Sequence, residues 1–240
     1  MAGRPRREEA DGGGRERLLA AAAKLFAAKG YAAASVRDIL KVANVTAPVL
    51  YYHFGSKEGL FVGLIRQGIE AFDVEMTEVL AAAPTPGEKV RAFCRFHVEV
   101  QRRFADLRRV VEAAIAGPPE ATPRFDFRKV FAGHVTRLAG LVTAAVASGE
   151  FRSCDPTTTA LALIGAAEMT VRARRMEWRV PEAKDPERGA LKVVLDGLRA
   201  PGAAGRRGSG RTRRATRTQG AATDDATTRR SVKVSRYNAR

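Results

Sequence analysis

The chain has 240 residues, 45% of them hydrophobic and 7% aromatic, which is ample apolar material for one large globular domain or two small ones. Its 42 Lys and Arg against 26 Asp and Glu give a formal charge of +16, and its only cysteines, Cys94 and Cys154, exclude both a disulfide scaffold and a four-thiolate zinc site. Uninterrupted apolar runs such as Ala160–Ala167 fall short of the ~20 residues of a membrane helix. The basic start, Gly3-Arg4-Pro5-Arg6-Arg7, leads into Glu8, Glu9 and Asp11 rather than the apolar stretch of a signal peptide. The expectation is a soluble, cytoplasmic, strongly basic protein that touches no membrane.

The predicted elements are helical from end to end. Residues 1–14, closing on Gly12-Gly13-Gly14, read as a short flexible basic arm. Leu18, Ala22, Leu25 and Phe26 then fall on one face of a helix that stops at Lys29-Gly30, where glycine supplies the left-handed cap. Ser35-Val36-Arg37-Asp38 has capping-box spacing and opens a short helix with Val36, Ile39 and Leu40 inward. Asn44 stands where the chain must turn, and Asn tolerates positive φ. Thr46 is the next N-cap, with Pro48 in the first turn, where a missing N–H costs nothing. Phe54-Gly55-Ser56 ends that helix, and Ser56 caps a longer one reaching about Ala82.

Punctuation divides the remainder. Pro84-Thr85-Pro86-Gly87 separates off a helix over about 88–104, Asp106 caps one to Ala116, and another spans about 123–148. Asp155-Pro156 starts a helix to about Trp178, and Asp185-Pro186 starts a last one to about Leu198. No stretch alternates with period two, so the fold class is all-α. Residues 200–240 hold 11 Lys and Arg against 2 Asp and Glu, a net +9, with too few large apolar groups to offset ordering entropy; they read as a disordered basic tail.

The two short helices at 36–42 and 47–53, joined by a tight turn, have the dimensions of a helix-turn-helix. The wider string is more specific: Arg15-x-x-Leu18-Leu19-x-Ala21-Ala22-x-x-Leu25-Phe26-x-x-x-Gly30-Tyr31, then Ser35-Val36-Arg37-Asp38-Ile39, then Leu50-Tyr51-Tyr52-His53-Phe54-Gly55-Ser56-Lys57-Glu58-Gly59-Leu60. Over residues 15–61 it closely resembles the TetR-family DNA-binding domain. Asn44 stands where that family usually has glycine, and Ala34 where threonine is frequent. The resemblance implies an N-terminal three-helix DNA-binding domain over 15–61, then an all-helical effector-binding and dimerisation domain over 62–199.

A recognition helix enters the major groove by its N-terminal end, which here offers Thr46, Ala47, Pro48 and Val49. These small groups suit thymine methyls, and the Thr46 hydroxyl alone among them can hydrogen-bond a base edge. Tyr52 is the other candidate for base readout. Arg37, Tyr51, His53 and Lys57 suit phosphate contacts on a double-stranded operator. Phe54 reads as core, and Tyr51 fits core and phosphate roles equally.

The family resemblance further implies a homodimer formed through residues 155–199 and a small-molecule effector. Leu161, Ile164, Ala167 and Met169, with Leu191, Val194, Leu195 and Leu198, are apolar enough for a four-helix seam. Phe93, Phe96, His97, Phe104, Phe127, Phe131, His134 and Trp178 are the candidate pocket residues, His97 and His134 being their polar pair. Neither a phosphate-binding loop nor a G-x-S-x-G or G-x-G-x-x-G string occurs, so no enzyme and no cofactor is expected. The rival readings are a metal- or redox-responsive regulator using Cys94 and His97, and an architectural DNA-binding protein without effector.

Overall fold

The computed structural model describes residues 13–118, 120–175 and 186–200. The arm before residue 13, Trp178 and the tail beyond 200 lie outside them. Among the described residues the chain forms nine helices: α1 (Gly14–Ala33), α2 (Val36–Ala43), α3 (Ala47–Phe54), α4 (Lys57–Ala81), α5 (Pro86–Arg103), α6 (Ala105–Ala116), α7 (Phe127–Ala147), α8 (Pro156–Arg175) and α9 (Pro186–Gly197).

The start and stop signals work as their chemistry requires. Ser35, Ser56 and Thr85 each accept the amide three residues on, at 3.0, 3.0 and 3.2 Å, closing the first turns of α2, α4 and α5. Asn44 takes the left-handed conformation at φ 50° and ψ 53°, completing the turn between α2 and α3. Gly30 does more than cap. At φ 80° and ψ 162° it breaks α1 in a region of backbone space that a side chain all but forbids.

α1 packs against α2, α3 and α4, and also against α6. Leu18, Leu19, Ala22 and Phe26 of α1 are buried with Ile39, Leu50, Leu60 and Phe61. Phe26, Tyr31 and Phe61 form an aromatic triangle with ring centroids 5.3–5.8 Å apart, pinning the end of α1 to α4. A second core gathers Phe72 and Met76 of α4, Phe93 and Phe96 of α5, Leu138 and Val142 of α7, Leu163 and Ala167 of α8, and Leu191 and Leu198 around α9.

Four expectations are corrected. The helix expected from residue 123 begins at Phe127, where Asp126 accepts the Lys129 amide at 3.2 Å. Asp106 does not cap α6; it lies in the first turn and pairs with Arg109 at 3.4 Å. Counting uninterrupted apolar runs excluded any membrane-length helix, yet α7 is long and apolar enough by composition, because alanine, glycine and threonine fill the gaps between its valines. Finally, Ile164, Ala167, Leu191 and Leu198 are buried inside this one chain, so they are unavailable to a dimer seam. Leu161, Met169 and Val193 face outward instead.

Candidate nucleic-acid interface

The N-terminal end of α3 projects from the α1–α4 unit. Thr46 is extended at φ −90° and ψ 160°, and its hydroxyl makes no hydrogen bond to the helix it precedes. That separates it from Ser35 and Ser56, whose hydroxyls are engaged as caps. Thr46 and Pro48 are exposed, while Ala47 and Val49 are half-buried.

One turn on, Tyr51 and Tyr52 are 54% and 75% exposed. Two aromatic rings held in water on one short helix gain nothing by burial within the chain, so they mark a contact surface. The Tyr52 ring meets His53 edge-on at 5.0 Å. Phe54 takes the packing role: the Arg15 guanidinium lies 5.8 Å from its ring centroid, and its ring edge would meet a β-carbon at Gly63 at 2.9 Å. Ala34, where the resembled family often has threonine, is wholly buried.

On α2, Arg37 is exposed, and Lys41, one turn further along the same face, is exposed with it. The sequence reading missed Lys41, although its spacing from Arg37 was a sufficient signal. Lys57 is less free than its place at the start of α4 suggests. Its ammonium sits 4.3 Å from the Tyr31 ring centroid and donates to the Ala32 carbonyl at 3.3 Å, and partial burial lowers its pKa. Lys29 is paired with Asp38 at 3.3 Å, which holds the Asp38 carboxyl below its ordinary range.

The family described as bacterial regulatory proteins, tetR family, matches residues 18–64, the span that builds this surface. The chain thus carries a TetR-family DNA-binding domain over residues 18–64. It is a DNA-binding transcriptional regulator with an N-terminal helix-turn-helix domain and a helical C-terminal domain. The transcriptional repressor KstR2 of Mycolicibacterium smegmatis is 29% identical over 140 residues, 58% of this chain and 67% of that protein. KstR2 of Rhodococcus jostii is 29% identical over 194 residues, 79% of this chain and 93% of the relative. Among solved structures, FadR from Bacillus subtilis in complex with stearoyl-CoA shares the fold with a TM-score of 0.61 at 20% identity, covering 76% of this chain and 98% of that one.

The helical domain of this chain draws four of the eight candidate pocket residues together. Phe93, Phe96 and His97 on α5 meet His134 on α7 and Phe72 on α4, a residue the sequence reading did not single out. Phe72 lies 4.5 Å from His134 and 5.4 Å from Phe96, ring to ring, and His97 stacks on Phe93 at 6.2 Å. Burial and the nearby His97 push the His134 pKa down, so its ring is neutral. Phe104 stands at the α5–α6 junction with the Arg103 guanidinium 4.9 Å from its ring. Phe127 pairs with Phe125 at 4.9 Å, and Phe131 is half-exposed, so neither joins the cluster.

Two further polar residues were missed. His97 Nε2 lies 3.0 Å from Glu168 Oε1 on α8, and Gln101 donates to the same oxygen at 2.8 Å. Burial raises the Glu168 carboxyl, but these bonds and the charges around it outweigh that and leave its pKa lowered. An ionised carboxylate only accepts, so it is Nε2 that donates to it, leaving Nδ1 on the other side of the ring. That Nδ1 is buried with no hydrogen-bond partner among the described residues. Burial pushes the Cys94 thiol up to about 12, which denies the redox reading a thiolate. No group of three or more His, Cys, Asp or Glu able to hold a metal occurs among the described residues.

Proposed function

We propose that the chain is a homodimeric repressor released from a two-half-site operator by a small molecule, with residues 15–61 as reading head and 62–199 as sensor and dimerisation domain. Thr46, Ala47, Pro48, Val49 and Tyr52 meet base edges, and Arg37, Lys41, Tyr51, His53 and Lys57 meet phosphates. The observation that carries the release step is the position of α6. It packs against α1 of the reading head and, with α8, walls a groove of about 720 Å³. A molecule that shifts α6 therefore shifts α1, and with it the separation of the two reading heads. It need only bind the shifted state more tightly, since equal affinity for both states moves nothing.

Dimerisation rests on the outer faces of α8 and α9. Leu161, Ala162, Gly165 and Met169 form an exposed apolar stripe at helical spacing, with Val193 of α9 74% exposed. The small residues let a partner helix approach closely.

The test begins with selection of bound DNA from a random pool by the full chain. A palindrome of two half-sites about 10 base pairs or a multiple apart supports the dimeric reading. Release from that DNA is then assayed with acyl-CoA thioesters, stearoyl-CoA being the ligand of the structurally similar FadR, and with neutral apolar molecules. Enrichment of no sequence at all would favour an architectural protein.

A further inference from the structure

The α6–α8 groove has a chemistry of its own. Its walls carry Arg109, Glu112, Glu168 and Arg172, two cations and two anions, around an apolar floor that includes Ile115 and Met169. The anions differ in what they have left to give. Glu112 is engaged by Arg108 at 2.7 Å, one turn back along α6. Glu168 is half-exposed to the groove, and both of its hydrogen bonds, from His97 and Gln101, go to Oε1. Its Oε2 is thus an acceptor among the described residues with no donor on it. His97, which donates to Oε1, is only 8% exposed, and its Nδ1 has no hydrogen-bond partner among the described residues. Oε2 is therefore open to a donor from a ligand without the loss of a bond within the chain.

We infer that this groove is a small-molecule site anchored on Glu168, and that it takes a neutral, largely apolar molecule carrying a hydroxyl. The inference rests on the effector reading above and names the chemical class of that effector. A hydroxyl donates to the carboxylate in a charge-assisted bond while the apolar body lies on Ile115 and Ala116 of α6. A carboxylate in the same place would face the Glu168 charge. The balanced walls offer no net field to draw in an ion of either sign. Discrimination follows from the bond to Oε2, a charge-assisted bond that an analogue lacking the hydroxyl cannot make. The groove also touches both moving parts of the regulator. Its α6 wall is packed on α1, and its α8 wall carries Gly165 and Met169 of the outward stripe.

The experiment is equilibrium dialysis of the full chain, without DNA, against 2-naphthol, 2-methylnaphthalene and 2-naphthoate at pH 7. The expected result is at least tenfold tighter binding of 2-naphthol than of 2-methylnaphthalene, with 2-naphthoate the weakest. Glu168→Gln should reduce that preference severalfold, whereas Glu112→Gln, whose carboxylate is already taken by Arg108, should keep it. The unfolding midpoint and operator affinity of both variants show that each is folded. Equal binding of the naphthol and the methyl compound, tighter binding of the naphthoate, or identical behaviour of the two variants overturns the inference. So does failure of all three probes to bind, the outcome expected if a partner helix fills the groove. None of these results touches operator release by another effector, which the DNA assay decides separately.

Discussion

The Gly87 amide donates to the Glu150 carboxylate at 3.1 Å, an approach so close that a β-carbon on Gly87 would come within 2.5 Å of that group. A residue in the turn after α7 thereby caps the start of α5. Thr85 and Ser148 donate to the same carboxylate at 2.8 and 3.1 Å. The turn continues into the end of α9, where Arg152 donates its amide to the Leu198 carbonyl at 2.8 Å and its Nε to Gly197 at 2.7 Å. One turn thus holds three elements in register, its Glu150 carboxylate on α5 and its Arg152 on the end of α9.

Glu150→Gln should lower stability at neutral pH by about 1–2 kcal/mol, less than the ~1.5–3 kcal/mol of a hydrogen bond to a charged group because Glu150 is partly exposed and screened by solvent. Burial raises the Glu150 carboxyl, but the bonds from Thr85, Gly87 and Ser148 with the nearby Arg91 charge outweigh it, and the folded pKa lies below the ordinary value. Its contribution is therefore fully present above the unfolded pKa of about 4.3 and lost as pH falls through the folded one. Denaturant unfolding of wild type and variant should show a gap that closes on acidification below about pH 4. A gap independent of pH would remove the carboxylate charge from the account.

The two hydroxyls that precede the helix-turn-helix helices should part company on substitution. Ser35→Ala removes a bond to the Asp38 amide and should cost about 1 kcal/mol of stability. Thr46→Ala removes no cap bond and should leave stability nearly unchanged. Instead it should alter preference at one base pair by about 1–3 kcal/mol. Thermal unfolding and competition binding on single-base operator variants measure the two effects. Equal losses by Thr46→Ala on operator and random DNA would take Thr46 out of the readout.

Lys57 holds two positions at once, bound to the end of α1 and offered to a phosphate. Lys57→Ala should weaken binding to all DNA sequences alike, because phosphates carry no sequence information, and should flatten the salt slope of log affinity by about 0.9. Losing the contacts to Tyr31 and Ala32 should also cost a few tenths to about 1 kcal/mol of stability. Tyr51→Phe, with its ring exposed, should weaken DNA binding without that stability loss. A stability loss for Lys57→Ala with an unchanged salt slope would assign the residue to packing alone.

The helices were legible because their punctuation is local. Ser35, Asn44, Ser56 and Asp126 act within three or four residues of themselves, so spacing alone reveals them, although the helix that Asp126 caps was expected from about residue 123. The surface residues of α2 and α3 were legible for the same reason. What sequence could not supply was the sidedness of α8. Leu161, Ile164, Ala167 and Met169 are equally apolar, and only the neighbours α7 and α9 decide that Ile164 and Ala167 turn inward. Glu168 was overlooked because its partners, His97 and Gln101, are separated from it by 71 and 67 residues. Phe72 met His134 across two helices with no periodic signal linking them.

That sidedness makes the dimer testable. Leu161→Glu and Met169→Lys place charge on the outward stripe and should yield a helical monomer in sedimentation, with operator affinity lost because one reading head cannot hold two half-sites. Ile164→Glu, buried in the core, should unfold the domain instead. A dimer that survives both outward substitutions would move the seam off α8.

Residues 200–240 should add affinity without adding sequence choice. Their net +9 exceeds that of any comparable stretch, and the arginine pairs Arg206-Arg207, Arg213-Arg214 and Arg229-Arg230 are spaced along them. Phosphates flanking the operator are the obvious counter-charge, since each one neutralised releases counterions and adds about 0.9 to the slope of log affinity against log salt. The cut belongs after Ala203, because Ala200 donates its amide to the Glu150 carbonyl at 3.2 Å and helps seat the end of α9. Truncation there should flatten the slope by several units and weaken operator and random DNA by the same factor, so that their ratio stays fixed. Affinity measured from about 50 to 200 mM salt on both DNAs reads the two quantities together. An unchanged slope would leave the helix-turn-helix as the sole DNA contact, and a changed ratio would mean that the tail reads sequence.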